Sequence, residues 1–123
     1  MAMIAMNDTD FSEALRAGGV FLAHFWADWD ESSQALLPMM EELGTQYDGQ
    51  AIIGSIDTDN AGFLPFELEI YNQPTVIIYV DGMEADRVAG VKPVELYQQL
   101  IDVRLHPEEL DPFEMIQSSG YSL

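Results

Sequence analysis

The sequence predicts an α/β fold of three layers, α/β/α, with a mixed central sheet of about five strands and about four helices. Three observations carry this. Short β-branched or apolar runs alternate with segments whose apolar residues recur every three to four positions, the alternation of a sheet covered by helices on both faces. The last two runs are separated only by Asp81-Gly82, a two-residue hairpin signal, so an antiparallel pair joins an otherwise parallel arrangement. With 123 residues, the chain suits one domain with a core of its own.

Ile4 can start a short strand, and Asn7 or Asp8 can cap a helix whose Phe11, Ala14 and Leu15 face inward until Gly18 and Gly19 stop it. Val20 to Ala27, "VFLAHFWA", is nearly continuous in apolar residues and reads as a central strand buried on both faces. Gln34 to Tyr47 carries Leu36, Leu37, Met40, Leu43 and Tyr47 at helical spacing, with Pro38 inside it predicting a kink. Ala51 to Asp57 is the next strand. Thr58 to Tyr71 predicts a shorter helix with Phe63, Phe66, Leu68 and Ile70. Thr75 to Val80 is a β-branched strand, and Met83 to Gly90 returns beside it. Lys92 to Leu105 is an amphipathic helix with Val94, Leu96 or Tyr97, Leu100, Ile101 and Leu105 available to the core. The domain is thus expected over residues 1–105, followed by an acidic tail at 106–123 in which Leu110, Phe113, Met115 and Ile116 stand between acids.

Twenty-two Asp and Glu stand against four Lys and Arg, a net charge of −18. Such a chain repels nucleic acid and anionic membranes and favours basic partners or cations. The first residues have no basic region, and no apolar run reaches the ~20 residues that span a bilayer. The expected address is the cytoplasm. There is no cysteine, which removes disulfides, thiolate metal sites and thiol nucleophiles together.

The element order, "FWADW", Pro38 inside the second helix, "QPT" at Gln73 to Thr75 and Gly90 before the last helix together resemble the thioredoxin family over residues ~2 to 105. In that resemblance "WDESS" stands in place of the WCxxC motif. Asp30 and Ser33 occupy the two cysteine positions, and Pro74, 44 positions beyond Asp30, matches the family's cis proline. The resemblance implies a thioredoxin fold with Gln73-Pro74 cis. It also implies a buried acid and a nearby lysine serving the second cysteine, for which this chain has His24 and Ser55. With nucleophile, resolving group and proton relay all replaced, the expectation is a cysteine-less member that is not an enzyme and needs no cofactor.

Two readings of the loop stay open. Asp30, Glu31, Ser32 and Ser33 suit a helix start, where carboxylates and hydroxyls accept from free backbone N–H groups. Alternatively, the resemblance implies a peptide groove lined by Trp29, Asp30, Glu31, Ser32, Ser33, Gln73, Pro74, Thr75, Ala89, Gly90 and Val91, which Asp28, Asp30 and Glu31 bias toward a basic or extended segment of a protein partner. Cysteine-poor relatives of similar kind include the thioredoxin-homology domain of multidomain monothiol glutaredoxins, which shares "HFWA". Chaperone-type thioredoxin-like proteins and hydrogenase accessory proteins are similar in function class. The first expectation is therefore an interaction module: an adaptor, an assembly factor or a holdase-like chaperone.

The alternative is a low-affinity calcium binder resembling the acidic thioredoxin-like units of calsequestrin. "DTDNAG", Asp57 to Gly62, begins like an EF-hand loop but has Ala61 at the fifth position and Leu68 at the twelfth, where the bidentate Glu belongs. His24 reads as a hydrogen-bonded core histidine. A Ser33–His24 hydrolase pair lacks an evident oxyanion hole. His106 has no companion at ligand spacing, so neither a catalytic residue nor a metal ligand is expected.

Overall fold

The computed structural model describes residues 3–107, and the tail expected at 106–123 lies almost wholly outside them. The strands are β1 (Ile4–Met6), β2 (Val20–Trp26), β3 (Ala51–Asp57), β4 (Thr75–Val80) and β5 (Met83–Ala89). They form one sheet in the order β1-β3-β2-β4-β5. β3 runs parallel to both β1 and β2, while β4 is antiparallel to β2 and to β5. This is the mixed five-stranded sheet that the alternation and the hairpin together require. Asp81 and Gly82 both have positive φ, 52° and 83°, as a two-residue hairpin loop matched to strand twist demands.

Helices cover both faces. α1 (Asp8–Ala17) places Phe11 and Ala14 against Phe21, Phe25, Ile77 and Tyr79 on one side. Its start is a capping box: Asn7 Oδ1 accepts from the Asp10 N–H at 2.8 Å, and Asp10 Oδ2 accepts from the Asn7 N–H at 3.2 Å. On the other side α2 (Glu31–Ala35), α3 (Leu37–Gln46) and α5 (Val94–Leu105) close over Leu22, Ile53, Val76 and Ile78 with Leu36, Met40, Leu43, Tyr97 and Ile101. Both sheet faces are filled mainly by apolar side chains, with His24, Ser55 and Thr75 as the buried polar residues of the strands, the arrangement that near-continuous apolar strands favour.

Two expected helices differ in detail. The run from Gln34 to Tyr47 is two segments parted at Leu36, with Pro38 in the first turn of α3, where a missing N–H has no intrahelical partner to lose. Leu37 is accordingly only half-buried. The stretch from Thr58 to Tyr71 is not one helix but a 3₁₀ turn, Thr58–Asn60, and a single-turn α4, Leu64–Glu67. Glu69 ends α4 in the left-handed region with φ 57°. The Ile70 N–H then reaches Pro65 O at 2.8 Å and the Glu69 N–H reaches Phe66 O at 3.1 Å, a Schellman closure. Leu64 and Leu68 pack on the α1 side of the sheet, whereas Phe63 and Phe66 stand in solvent. No helix among the described residues is long and apolar enough to cross a membrane.

Candidate functional site

β2 and β3 run parallel and deliver their carboxyl ends to the same edge of the sheet, beside the start of β4. The loop from Ala27 to Asp30 leaves β2 there. Asp30 is the N-cap of α2: its Oδ2 accepts from the Ser33 N–H at 3.0 Å and from the Ser33 hydroxyl at 2.8 Å. Ser33 is completely buried. One carboxylate oxygen thus satisfies an orphan backbone donor and a buried hydroxyl together. The Gln34 amide donates back to Asp28 O at 2.6 Å, a tie that sequence reasoning missed because nothing in spacing marks it. Held from below in this way, Trp29 projects outward with 69% of its surface exposed, and Glu31 and Ser32 are also exposed.

Opposite the loop, Gln73-Pro74 is cis, as the resemblance implies, and Pro74 is buried. Its carbonyl accepts from the Gly90 N–H at 2.9 Å, and Thr75 pairs with Ala89 across β4 and β5. Gly90 has φ 84°, a conformation that favours glycine at the point where β5 leaves the sheet. Thr75 is buried, with its hydroxyl donating to Asn72 O at 2.7 Å. Val91 is 44% exposed. Of the expected groove residues, then, Trp29, Glu31, Ser32, Ala89 and Val91 present side chains to solvent, whereas Ser33, Pro74 and Thr75 support them from beneath.

Under the loop the chemistry changes. His24 lies in β2 opposite Ser55 of β3 and Val76 of β4, on the face that α2 and α3 cover. It is fully buried. Neither ring nitrogen has a hydrogen-bond partner among the described residues, and the Ser55 hydroxyl has none either. This corrects the expectation of a hydrogen-bonded core histidine. Backbone groups of the flanking strands are spent on the ladder, and the neighbouring Val76 side chain offers no acceptor. Burial pushes the imidazole pKa down to about 4, because a charged ring in this setting would be desolvated without a counter-ion.

Other candidates resolve into local structure. The Ser33 hydroxyl is given to Asp30, so it forms no pair with His24. Asp57, first residue of the EF-hand-like stretch, caps the 3₁₀ turn, accepting from the Asp59 N–H at 3.0 Å and the Asn60 amide at 2.8 Å. Among the described residues no three His, Asp or Glu side chains come together as a metal ion would need.

Comparison with known proteins matches the features just described. The thioredoxin family model matches residues 2–102. A thioredoxin of Staphylococcus haemolyticus is 34% identical over 105 residues, 85% of this chain and all of that protein. One of Staphylococcus epidermidis has the same identity and coverage. Among solved structures, a mutant thioredoxin from Halobacterium salinarum superposes with a TM-score of 0.80 at 28% identity, covering 90% of this chain and 95% of that one. The chain belongs to the thioredoxin family and has the thioredoxin fold. Family membership also overturns the expectation that the chain is not an enzyme: its relatives are named thioredoxin, an oxidoreductase. This chain itself has no cysteine, so it holds no thiol nucleophile.

Proposed function

We propose that the chain is a protein-interaction module, an adaptor, assembly factor or holdase-like chaperone, that takes an extended, basic segment of a partner into the groove between Trp29 and the Pro74–Gly90 edge, with no thiol of its own taking part. The observation that carries this reading is the exposure of Trp29 at 69% on a loop whose backbone is fixed from beneath by Asp30. An exposed indole on a rigid support is the kind of side chain that dominates interface energetics. Asp28 and Glu31 flank it with negative charge, and the net charge of −18 steers positively charged segments toward the protein. The backbone of Val91, just past Gly90, offers the edge along which an extended peptide can align. No clustered donor set among the described residues favours the calcium alternative.

Capture of a partner from the source cell tests the groove. Binding is expected to weaken as salt rises and to fall at least about tenfold in Trp29→Ala, the loss of an anchor residue. Glu31→Lys should weaken it further while leaving the Asp30 cap intact. Asp30→Lys is the wrong probe, since it removes the cap as well as the charge. Undiminished capture by Trp29→Ala would remove the groove from consideration.

A further inference from the structure

Phe63 and Phe66 are 80% and 81% exposed, a rare state for two large rings on one short element. They lie three residues apart at the start of α4 and so share one side of it, while Leu64 and Leu68 take the core side. Next to Phe63 a cleft of about 300 Å³ runs between the first turn of α1 and α4, lined by Asp8, Thr9, Ser12, Gly62, Phe63 and Glu67. Neither Asp8 nor Glu67 is in an ion pair with a described residue. No Lys or Arg occurs between Arg16 and Arg87. Arg16 is in the last turn of α1, at the far end from Asp8. Arg87 is committed to Glu84 at 2.8 Å and to the carbonyls of Leu68 and Glu69 at 2.9 and 3.2 Å. The Asp8 and Glu67 carboxylates that border the aromatic side of α4 thus have no ion-pair partner among the described residues, and Arg87, at the end of α4, is already engaged.

We infer that this α1–α4 face is a second docking surface, for an amphipathic protein segment that sets Arg or Lys beside apolar residues. The apolar side of such a segment would cover Phe63 and Phe66. A basic side chain would enter the cleft between the Asp8 and Glu67 carboxylates, against the ring of Phe63, where cation–π attraction adds to the charge pairing. Charge selects this occupant over a second copy of the chain, because two bodies of −18 repel. The surface lies on the α1 side of the sheet, and the groove loop leads into α2 on the opposite side. The inference therefore does not rest on the groove reading.

Fluorescence anisotropy with a labelled amphipathic peptide of arginine and leucine at helical spacing tests it, using the same peptide with glutamate in place of arginine as the control. The arginine peptide should bind and the glutamate peptide should not. Phe63→Ser with Phe66→Ser changes no charge and removes only exposed rings, so circular dichroism and thermal midpoint should hold while affinity falls about tenfold. Asp8→Asn with Glu67→Gln should weaken binding several-fold and flatten its salt dependence. Trp29→Ala should leave it unchanged. Equal affinity for the wild type and the Phe63→Ser/Phe66→Ser protein overturns the inference, as does loss of peptide binding in Trp29→Ala alone. Self-association in sedimentation that disappears in the double serine variant overturns it too, by making the occupant a second copy.

Discussion

At the lip of the sheet, where α2 starts, Asp30 and Ser33 satisfy each other at 3.0 and 2.8 Å, while six residues earlier His24 is buried with neither ring nitrogen bonded among the described residues. Both belong to the same strand-to-helix passage, and both stand where the thioredoxin pattern keeps its chemistry. The lip has become a closed local structure in which one carboxylate oxygen serves two donors. The floor keeps polar groups that no neighbour among the described residues satisfies. A helix cap can be completed within four residues of sequence, whereas a buried side chain depends on what adjacent strands bring, and here they bring Ser55 and Val76. Stability and binding should therefore respond differently to changes at the two levels.

The largest effect is expected at the floor. The His24 pKa falls from 6.5 unfolded to about 4 folded, so the native state demands the neutral ring. Below pH 6.5 the unfolded chain takes up a proton that the folded chain refuses, and stability drops as pH falls through this window, by roughly 3 kcal/mol at pH 4. Denaturant unfolding at pH 7 and pH 4.5 checks this against His24→Leu. The variant should lose clearly less stability than the parent between the two pH values, since the carboxylates common to both titrate alike. If the two proteins lose stability in parallel, His24 is not the group that couples folding to pH.

At the lip, Asp30→Ala strips the cap from α2 and strands the buried Ser33 hydroxyl, an expected cost of about 1–2 kcal/mol in urea unfolding at pH 7. Asp30→Asn keeps an acceptor and should cost less. A loss confined to Asp30→Ala would establish that this position needs the capping acceptor and not its charge. Equal losses would point instead to its charge at the helix start.

How far the sequence revealed these features follows from the range of the interactions involved. Near-continuous apolar and β-branched runs placed β2, β3 and β4 within a residue or two, because burial on both faces leaves little freedom in composition. Asp81-Gly82 identified its hairpin, since few residue pairs accept two positive φ values. A cap at Asn7 or Asp8, and a helix start within Asp30 to Ser33, were legible for the same local reason, and the structure selects Asn7 and Asp30. The stretch from Thr58 to Tyr71 was overread because Phe63 and Phe66 count toward helical spacing although both face water, and apolar residues at the surface leave no mark in periodicity. The isolation of His24 was not legible either: it depends on Ser55 and Val76, 31 and 52 positions away, and on which atoms the cross-strand register brings near.

The smallest expected change in stability sharpens the division between lip and floor. Trp29 is 69% exposed and follows the strand without joining either core cluster, so Trp29→Ala should alter unfolding free energy by no more than about 0.5 kcal/mol. A large indole that contributes so little to the fold, carried on a loop that Asp30 and Gln34 hold in place, is available for contact with something else. The informative measurement pairs urea unfolding with partner capture on the same preparation. Unchanged unfolding with weakened capture separates the outer lip from the structure beneath it. A loss of stability above about 1 kcal/mol, beyond what an exposed substitution away from caps and core produces, would make Trp29 part of the cap's support and would assign the loop to folding instead of recognition.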